Sequence, residues 1–193
     1  YVQAYFAYDS KKSGGTTVSH LRFGDKPIKA PYLVNTADYV ACHNQAYVDK
    51  YNLLKSLKPG GTFVLNCQWS VEELDEKLPD SLKRAIYDKK AQFYIIDAVK
   101  IAQEIGLGAR INMIMQSAFF KLANVIPIED AIRYLKDSVV KTYGKKGQEI
   151  LDMNFKAIDA GCDALVKVEV PESWGKCDPN KGIFLGTEQD PPF

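Results

Sequence analysis

Histidine and cysteine are scarce in this sequence, and the short motifs that carry metal or nucleotide chemistry are absent from it. The 193 residues include two histidines and four cysteines, and no cysteine pair has Cys-x-x-Cys spacing. Because a zinc site or an iron–sulfur cluster takes about four suitably spaced ligands, we expect no metal site within this chain alone. The sequence also lacks Gly-x-Gly-x-x-Gly and Gly-x-x-x-x-Gly-Lys-Ser/Thr, which excludes the dinucleotide fingerprint and the Walker loop.

The few cysteines indicate a reducing environment. They are Cys42, Cys67, Cys162 and Cys177. Cys42 and Cys67 lie in apolar, strand-like runs, where a thiol behaves as a small hydrophobic side chain. We therefore expect free, buried thiols at these two positions, and we assign the chain to the cytoplasm.

Long apolar runs and an excess of charge of one sign are also lacking. Lys and Arg number 25 and Asp and Glu number 24, so the formal net charge is +1. This balance argues against nucleic acid or an anionic membrane as a partner, although a local basic pocket is compatible with it. No run reaches the roughly 18–20 apolar residues of a membrane-spanning helix, and no signal peptide opens the chain. Because Tyr1 lies within a strand-like run, we expect the sequence to be part of a longer polypeptide.

What is present is an alternation of strand-like and helix-like segments. Runs rich in apolar and aromatic residues predict strands over Val2–Tyr8, 16–23, Ala37–Cys42, 62–67, 92–97 and 165–170. Helical spacing predicts a helix within residues 46–61, where Pro-Gly-Gly at the end is a stop followed by a turn. Helical spacing or capping signals also predict helices over residues 70–78, 109–124, 128–144 and 146–161, the last two ending at a glycine. This order predicts an α/β fold, a three-layer α/β/α sandwich with a mainly parallel sheet. Residues 16–23 alternate in polarity and allow one antiparallel edge strand.

The last part of the chain differs in composition from the rest. Residues 171–193 contain four prolines and three glycines without hydrophobic periodicity. This composition predicts a linker or wrapping tail after a single α/β domain over residues 1–170.

The predicted helix over residues 109–124 is apolar on two sides. One face is formed by Ile111, Ile114, Met115, Ala118, Phe119 and Leu122. Met113 and Phe120 lie on the other side. Such a helix is either central in a large core or pressed against a second domain, and we favour contact with a second domain.

Two segments have a composition that suits an anion. Residues 9–15 read Asp-Ser-Lys-Lys-Ser-Gly-Gly, which combines positive charge, hydroxyl donors and glycine amides. Arg110 comes after Gly106 and Gly108 at the predicted start of a helix, where free amides and the helix dipole attract negative charge. An ordinary solvated turn is the alternative for each segment, and the residues of the first segment alone favour that alternative.

Asn44 comes directly after His43 at the end of a predicted strand and precedes a helical pattern. The position favours a helix N-cap, because a short side-chain oxygen can accept from the first free amides. A ligand contact is the alternative.

Several long stretches together resemble one known family. They are YFAYDSKKSGGTTVSHLRFG, ADYVACHN, GGTFVLN, FYIIDA and GLGARINMIMQSAFFKLANVIP. These stretches are similar to the third domain of the pyruvate:ferredoxin (flavodoxin) oxidoreductases, which is equivalent to the gamma subunit of the 2-oxoacid:ferredoxin oxidoreductases. The resemblance runs from residue 1 to about residue 174 and implies an α/β domain of an enzyme.

The resemblance implies that the full enzyme converts pyruvate and coenzyme A to acetyl-CoA and CO2 and passes electrons to ferredoxin or flavodoxin. It assigns thiamine diphosphate, Mg2+ and [4Fe–4S] clusters to other domains, so the isolated domain is expected to be inactive and to contain no catalytic residue. This domain is expected to contact coenzyme A. The residues that match the family's segments for that contact are Ser10, Lys11, Lys12, Ser13, Arg110, Asn112 and Gln116.

The partners implied are the other domains of the same enzyme, coenzyme A, and ferredoxin or flavodoxin through the full enzyme. Two alternatives stay open. The chain could belong to an oxidoreductase of another 2-oxoacid, or it could be a purely structural module between domains.

Overall fold

The computed structural model describes residues 1–8 and 16–182, which form six strands and six α-helices. The strands are β1 (Val2–Tyr8), β2 (Thr17–Phe23), β3 (Ala37–Cys42), β4 (Leu57–Asn66), β5 (Gln92–Ile96) and β6 (Val166–Val168). The helices are α1 (Leu74–Lys77), α2 (Asp80–Asp88), α3 (Ala98–Ile105), α4 (Asn112–Ala123), α5 (Ile128–Tyr143) and α6 (Gln148–Asp163). None of the helices in this described part is long and apolar enough to cross a membrane.

The main sheet has four strands in the order β3-β4-β5-β6. Strands β3, β4 and β5 are parallel, and β6 pairs with β5 in the antiparallel direction. The predicted α/β fold with a mainly parallel sheet is therefore confirmed. The antiparallel edge strand of this sheet is β6. Residues 16–23, for which the sequence allowed that position, instead form β2 in a separate hairpin with β1.

Strand β4 shows why its sequence is continuously apolar. Successive side chains of a strand point to opposite faces, and both faces of this sheet are covered. Phe63 and Leu65 pack toward α1, α2 and Trp174, while Val64 packs toward α3, α4 and α6. All three strand residues are fully buried.

The predicted helix over residues 46–61 is wrong. Only a short 3-10 helix (Gln45–Tyr47) forms there, and β4 already begins at Leu57. Tertiary contacts outweigh the helical spacing, because the Lys89 ammonium donates to the carbonyls of Leu54 and Leu57, each at 2.6 Å.

Helices α1, α2 and α3 also differ from prediction. The predicted helix over residues 70–78 shortens to α1, although the Ser70 amide does donate to Glu73 Oε2 at 2.8 Å as in a capping box. Helices α2 and α3 were not predicted. Asp97 at the start of α3 was the available signal, because its side chain caps the Lys100 amide at 3.0 Å.

Helix α6 continues through Gly161, where the sequence predicts its end. Gly161 is buried against α4, and a Cβ atom added there would overlap Ser117 Oγ and the Ile114 carbonyl. The glycine therefore allows two helices to approach closely and does not terminate one of them.

Met113 and Phe120 pack within this chain, so the expectation that they contact a second domain is wrong. Both are half-buried in a cluster centred on Leu135, Val139 and Ile158 of α5 and α6. Helix α4 is apolar on two sides because it lies between the sheet and α5. This is the central-helix alternative.

Residues 171–182 pack on the domain. Trp174 lies in a further 3-10 helix (Glu172–Lys176) and is buried beside Phe93. Its indole N–H donates to Asp75 Oδ1 at 2.9 Å. The Ser81 amide donates to the Lys181 carbonyl at 3.0 Å. The segment covers the α1–α2 side of the sheet.

The β1–β2 hairpin is held on one face by residues 24–36. The Gln3 amide group donates to the Ala30 carbonyl at 3.0 Å, and the Arg22 guanidinium donates to the carbonyls of Pro31 and Leu33. The Val34 amide donates to His20 Nδ1 at 3.1 Å. These bonds fix the connection between the hairpin and β3.

Gly161→Ala should lower the free energy of unfolding by about 1–3 kcal/mol or more, because the new methyl group overpacks the α4–α6 contact. Gly144→Ala is the matched control. Gly144 has helical dihedrals, and a Cβ atom added there would lie 4.0 Å from the nearest atom, Val140 Cγ1. The free energy of unfolding of Gly144→Ala should therefore equal that of the wild type or exceed it by about 0.4–1 kcal/mol. Urea denaturation of both variants measures the difference, and equal stability would contradict the close approach at Gly161.

The stability of the chain should fall as the pH is lowered from 7.5 to 5. Burial and the neighbouring Arg22 lower the pKa of His20 in the folded state, so the unfolded chain binds its proton first. The contribution of neutral His20 to the free energy of unfolding is therefore fully present above the pKa of His20 in the unfolded chain. It is lost as the pH falls from that value toward the pKa of His20 in the folded chain. His20→Asn keeps an acceptor for the Val34 amide and should reduce this dependence in urea titrations. An unchanged pH dependence would show that His20 does not cause it.

Candidate functional site

The turn before α4 is shaped by two glycines. Gly106 ends α3 with φ of 99°, and Gly108 has φ of 62°, a region that favours glycine. The amides of Gly106 and Leu107 both donate to the Ala102 carbonyl, at 3.1 and 2.8 Å. Because Leu107 is buried, the turn is anchored and Arg110 is placed just ahead of the helix.

Helix α4 begins without a side-chain cap. Its N-cap residue is Ile111, which has no oxygen in its side chain to accept from the first-turn amides. Such amides and the positive end of the helix dipole form a site that can receive an anion. The first-turn amides of α4 therefore have no side-chain acceptor at the N-cap position.

Three of the predicted site residues meet at this helix end, which we call the α4 start (Arg110, Asn112 and Gln116). All three are exposed. Asn112 and Gln116 are four residues apart in a helix and therefore lie on one face. Within residues 1–8 and 16–182, no salt bridge involves Arg110, so its guanidinium is available for a phosphate or carboxylate.

The other four predicted residues, Ser10, Lys11, Lys12 and Ser13, lie outside the described residues. The described chain resumes at Thr16, which is buried, and its hydroxyl lies 2.7 Å from the Tyr51 hydroxyl. This contact anchors the start of β2 to the segment after β3. That the loop and the α4 start share one ligand stays a prediction.

The carboxyl ends of β3, β4 and β5 are joined by one amide that the sequence patterns did not single out. Asn66 is 4 % exposed; its Nδ2 donates to the His43 carbonyl and its Oδ1 accepts from the Ala98 amide, both at 2.9 Å. Asn44 caps the 3-10 helix by accepting from the Ala46 amide at 3.0 Å, which confirms the predicted cap. An asparagine at the end of a buried strand was the signal for Asn66.

The described residues do not fit an iron–sulfur cluster or a Mg2+ site. No group of three or more His, Cys, Asp or Glu side chains in this part of the chain could hold a metal ion. Burial raises the pKa of the Cys42 and Cys67 thiols to about 11, so both stay protonated near neutral pH, whereas a ligand must be a thiolate. Both are core residues, as predicted.

Solved structures that share this fold include a pyruvate oxidoreductase subunit and a 2-oxoglutarate:ferredoxin oxidoreductase. A pyruvate oxidoreductase subunit from Thermotoga maritima superposes with a TM-score of 0.64 at 18% identity, over 88% of this chain and 82% of that one. A 2-oxoglutarate:ferredoxin oxidoreductase from Magnetococcus marinus was solved with 2-oxoglutarate, coenzyme A and succinyl-CoA bound. It superposes with a TM-score of 0.59 at 23% identity, over 89% of this chain and 28% of that one. These likenesses show a shared fold.

The chain belongs to the pyruvate ferredoxin/flavodoxin oxidoreductase family, whose model matches residues 1–164. The pyruvate:ferredoxin oxidoreductase of Moorella thermoacetica is 63% identical over 174 residues, which are 90% of this chain and 15% of that protein. The resemblance found in the sequence is thereby confirmed. The chain spans about a seventh of this relative's length.

Asn66→Ala should destabilise the chain by about 1–3 kcal/mol, because it leaves the His43 carbonyl and the Ala98 amide without their partner. Asn52→Ala, at an exposed position, is the control and should change stability by less than about 0.5 kcal/mol. Thermal and urea unfolding compare the two variants. A small effect of Asn66→Ala would mean that the two backbone groups find other partners.

Proposed function

We propose that this chain is the coenzyme A-contacting domain of an enzyme that oxidises pyruvate with coenzyme A to acetyl-CoA and CO2. The electrons pass to ferredoxin or flavodoxin. Membership of the pyruvate ferredoxin/flavodoxin oxidoreductase family supports the reaction, and the 63% identity to the Moorella thermoacetica enzyme supports pyruvate as the substrate.

The observation that carries the coenzyme A contact is the open α4 start. Coenzyme A has a 3′-phosphate and a pyrophosphate, and each takes hydrogen bonds from amides and guanidinium groups. Arg110 is exposed beside uncapped helix amides, and Asn112 and Gln116 supply further donors on the same face.

The fold shared with the Magnetococcus marinus enzyme adds support, because that protein was solved with coenzyme A bound. In the loop outside the described residues, Lys11 and Lys12 would add positive charge, and Ser10 and Ser13 would add hydroxyl donors. The α4 start and this loop would then hold different phosphates of one extended ligand.

The chemistry divides between this domain and the rest of the polypeptide. Thiamine diphosphate with Mg2+ would supply carbon chemistry and [4Fe–4S] clusters would carry electrons, and the described residues do not fit either role. Residues of this chain would bind coenzyme A, orient it and neutralise its phosphates. The domain alone would then have no oxidoreductase activity.

In the full-length enzyme, Arg110→Ala, Lys11→Ala and Lys12→Ala should each raise the KM for coenzyme A about ten- to a hundredfold. One charge-assisted hydrogen bond contributes roughly 1.5–3 kcal/mol, and about 1.4 kcal/mol corresponds to a tenfold change in affinity. The KM for pyruvate should stay nearly unchanged. For the variant of a residue that contacts the 3′-phosphate, the increase in KM should be smaller with dephospho-coenzyme A, because this analogue lacks that phosphate.

Lys141→Ala is the matched control, because Lys141 is an exposed cation near the end of α5. It should leave both KM values as in the wild type. If the three variants behave like this control, coenzyme A is bound elsewhere and the domain has a structural role. If turnover prefers another 2-oxoacid to pyruvate, the choice of substrate is wrong.

A further inference from the structure

The β1–β2 hairpin has two faces that differ in how they are covered. Direct cross-strand partners share a face. The pairs Gln3↔Arg22 and Tyr5↔His20 lie on the face that residues 24–36 hold through hydrogen bonds and the Tyr5–Tyr32 ring contact. The opposite side also carries the Tyr8↔Thr17 pair at its far end, and the part of it that we call the outer face is formed by Val2, Ala4, Phe6, Ser19, Leu21 and Phe23.

The outer face is apolar and open over most of its length. Val2 is 63 % exposed, Phe6 50 %, Leu21 43 % and Phe23 37 %. None of its six residues carries a charge. A contiguous apolar patch of this kind marks a contact surface, whereas single exposed apolar residues do not.

Other exposed apolar side chains lie in a different environment. Tyr134 and Val140 of α5 are 57 % and 47 % exposed, but they stand among charged neighbours such as Arg133 and Lys141. The Arg133 guanidinium even lies over the Tyr134 ring, at 5.1 Å. The surface of α5 is therefore suited to solvent, and the outer face of the hairpin is not.

The hairpin also has limited support from the rest of the domain. It forms a separate two-stranded sheet, and such a sheet is marginally stable without a covered apolar face. On the outer face, Phe23 contacts the rings of Phe119 and Phe120 of α4, with centroids 5.5 and 6.4 Å apart. Among the described residues, this packing covers the Phe23 end of the face, and Phe6 and Leu21 stay 50 % and 43 % exposed.

We propose that, in the complete polypeptide, an uncharged apolar surface from outside this stretch of chain covers the outer face. The inference rests on the proposed function, in which this chain is one domain of a longer enzyme. The matched stretch is 15% of the Moorella thermoacetica relative, so most of that polypeptide lies outside it. A covering surface in the same polypeptide is present at high effective concentration, which favours it over a second molecule.

The test compares two cysteine variants in the full-length enzyme. Leu21 and Val140 have nearly equal exposure in this domain, 43 % and 47 %, so Leu21→Cys and Val140→Cys should react equally with a maleimide if both sites face solvent. If the outer face is covered, Leu21→Cys should react at least about tenfold more slowly, because reaction then requires local opening. Peptide mass spectrometry over a labelling time course measures each site, and labelling in urea provides the unfolded reference rate.

Phe6→Cys is a second probe on the same face and should be protected like Leu21→Cys. Equal labelling of both sites and Val140→Cys would overturn the proposal. Protection that disappears when the enzyme is diluted would also overturn it, because the cover would then be another molecule. Cysteine labelling is independent of coenzyme A kinetics. If Leu21→Cys and Phe6→Cys are protected but the Arg110 and Lys11 variants keep wild-type KM values, the proposed coenzyme A contact is refuted and the covered outer face is not.

Discussion

Burial of β4 and β5 on both faces is the constraint on which the rest of this domain depends. The Phe63 and Phe93 rings of these neighbouring strands stack at 5.2 Å with an interplanar angle of 9°, and they form the centre of one core. Val64 and Ile96 turn to the other core. Because exposure of either face to water would be unfavourable, helices and the segment around Trp174 must cover both, which fixes the three layers.

The layers in turn position the polar features. Asn66 emerges at the carboxyl end of β4, where one amide can bind the loops after both neighbouring strands. Helix α4 packs closely on α6 through Gly161, and α5 covers its outer side. With its flanks occupied, α4 presents its uncapped N-terminal end to solvent beside Arg110. The candidate coenzyme A surface is therefore a product of helix packing and of the absence of a capping side chain.

Sequence reasoning identified the strands and the α/β class because buried strands leave a direct signal in continuous apolar runs. The resemblance also proposed Arg110, Asn112 and Gln116 as site residues, and that role stays a prediction. Sequence reasoning failed where distant contacts decide local structure: Lys89 holds the carbonyls of Leu54 and Leu57 that a helix would otherwise use. Local spacing predicts a helix end at Gly161 because the role of this glycine depends on Ser117, which is 44 positions away in the chain.

The position of Trp174 has a consequence for how the domain is made. Its indole completes the core around Phe93 and bonds to Asp75, so the first half of the chain cannot close this core by itself. At about 5–20 residues per second, a ribosome needs roughly 4–16 s to extend the nascent chain from Phe93 to Trp174. During that interval, the surface that Trp174 later covers is exposed. The nascent domain thus has a window in which chaperones can bind it, and the window ends once Trp174, the last core residue of the described chain, has left the ribosome.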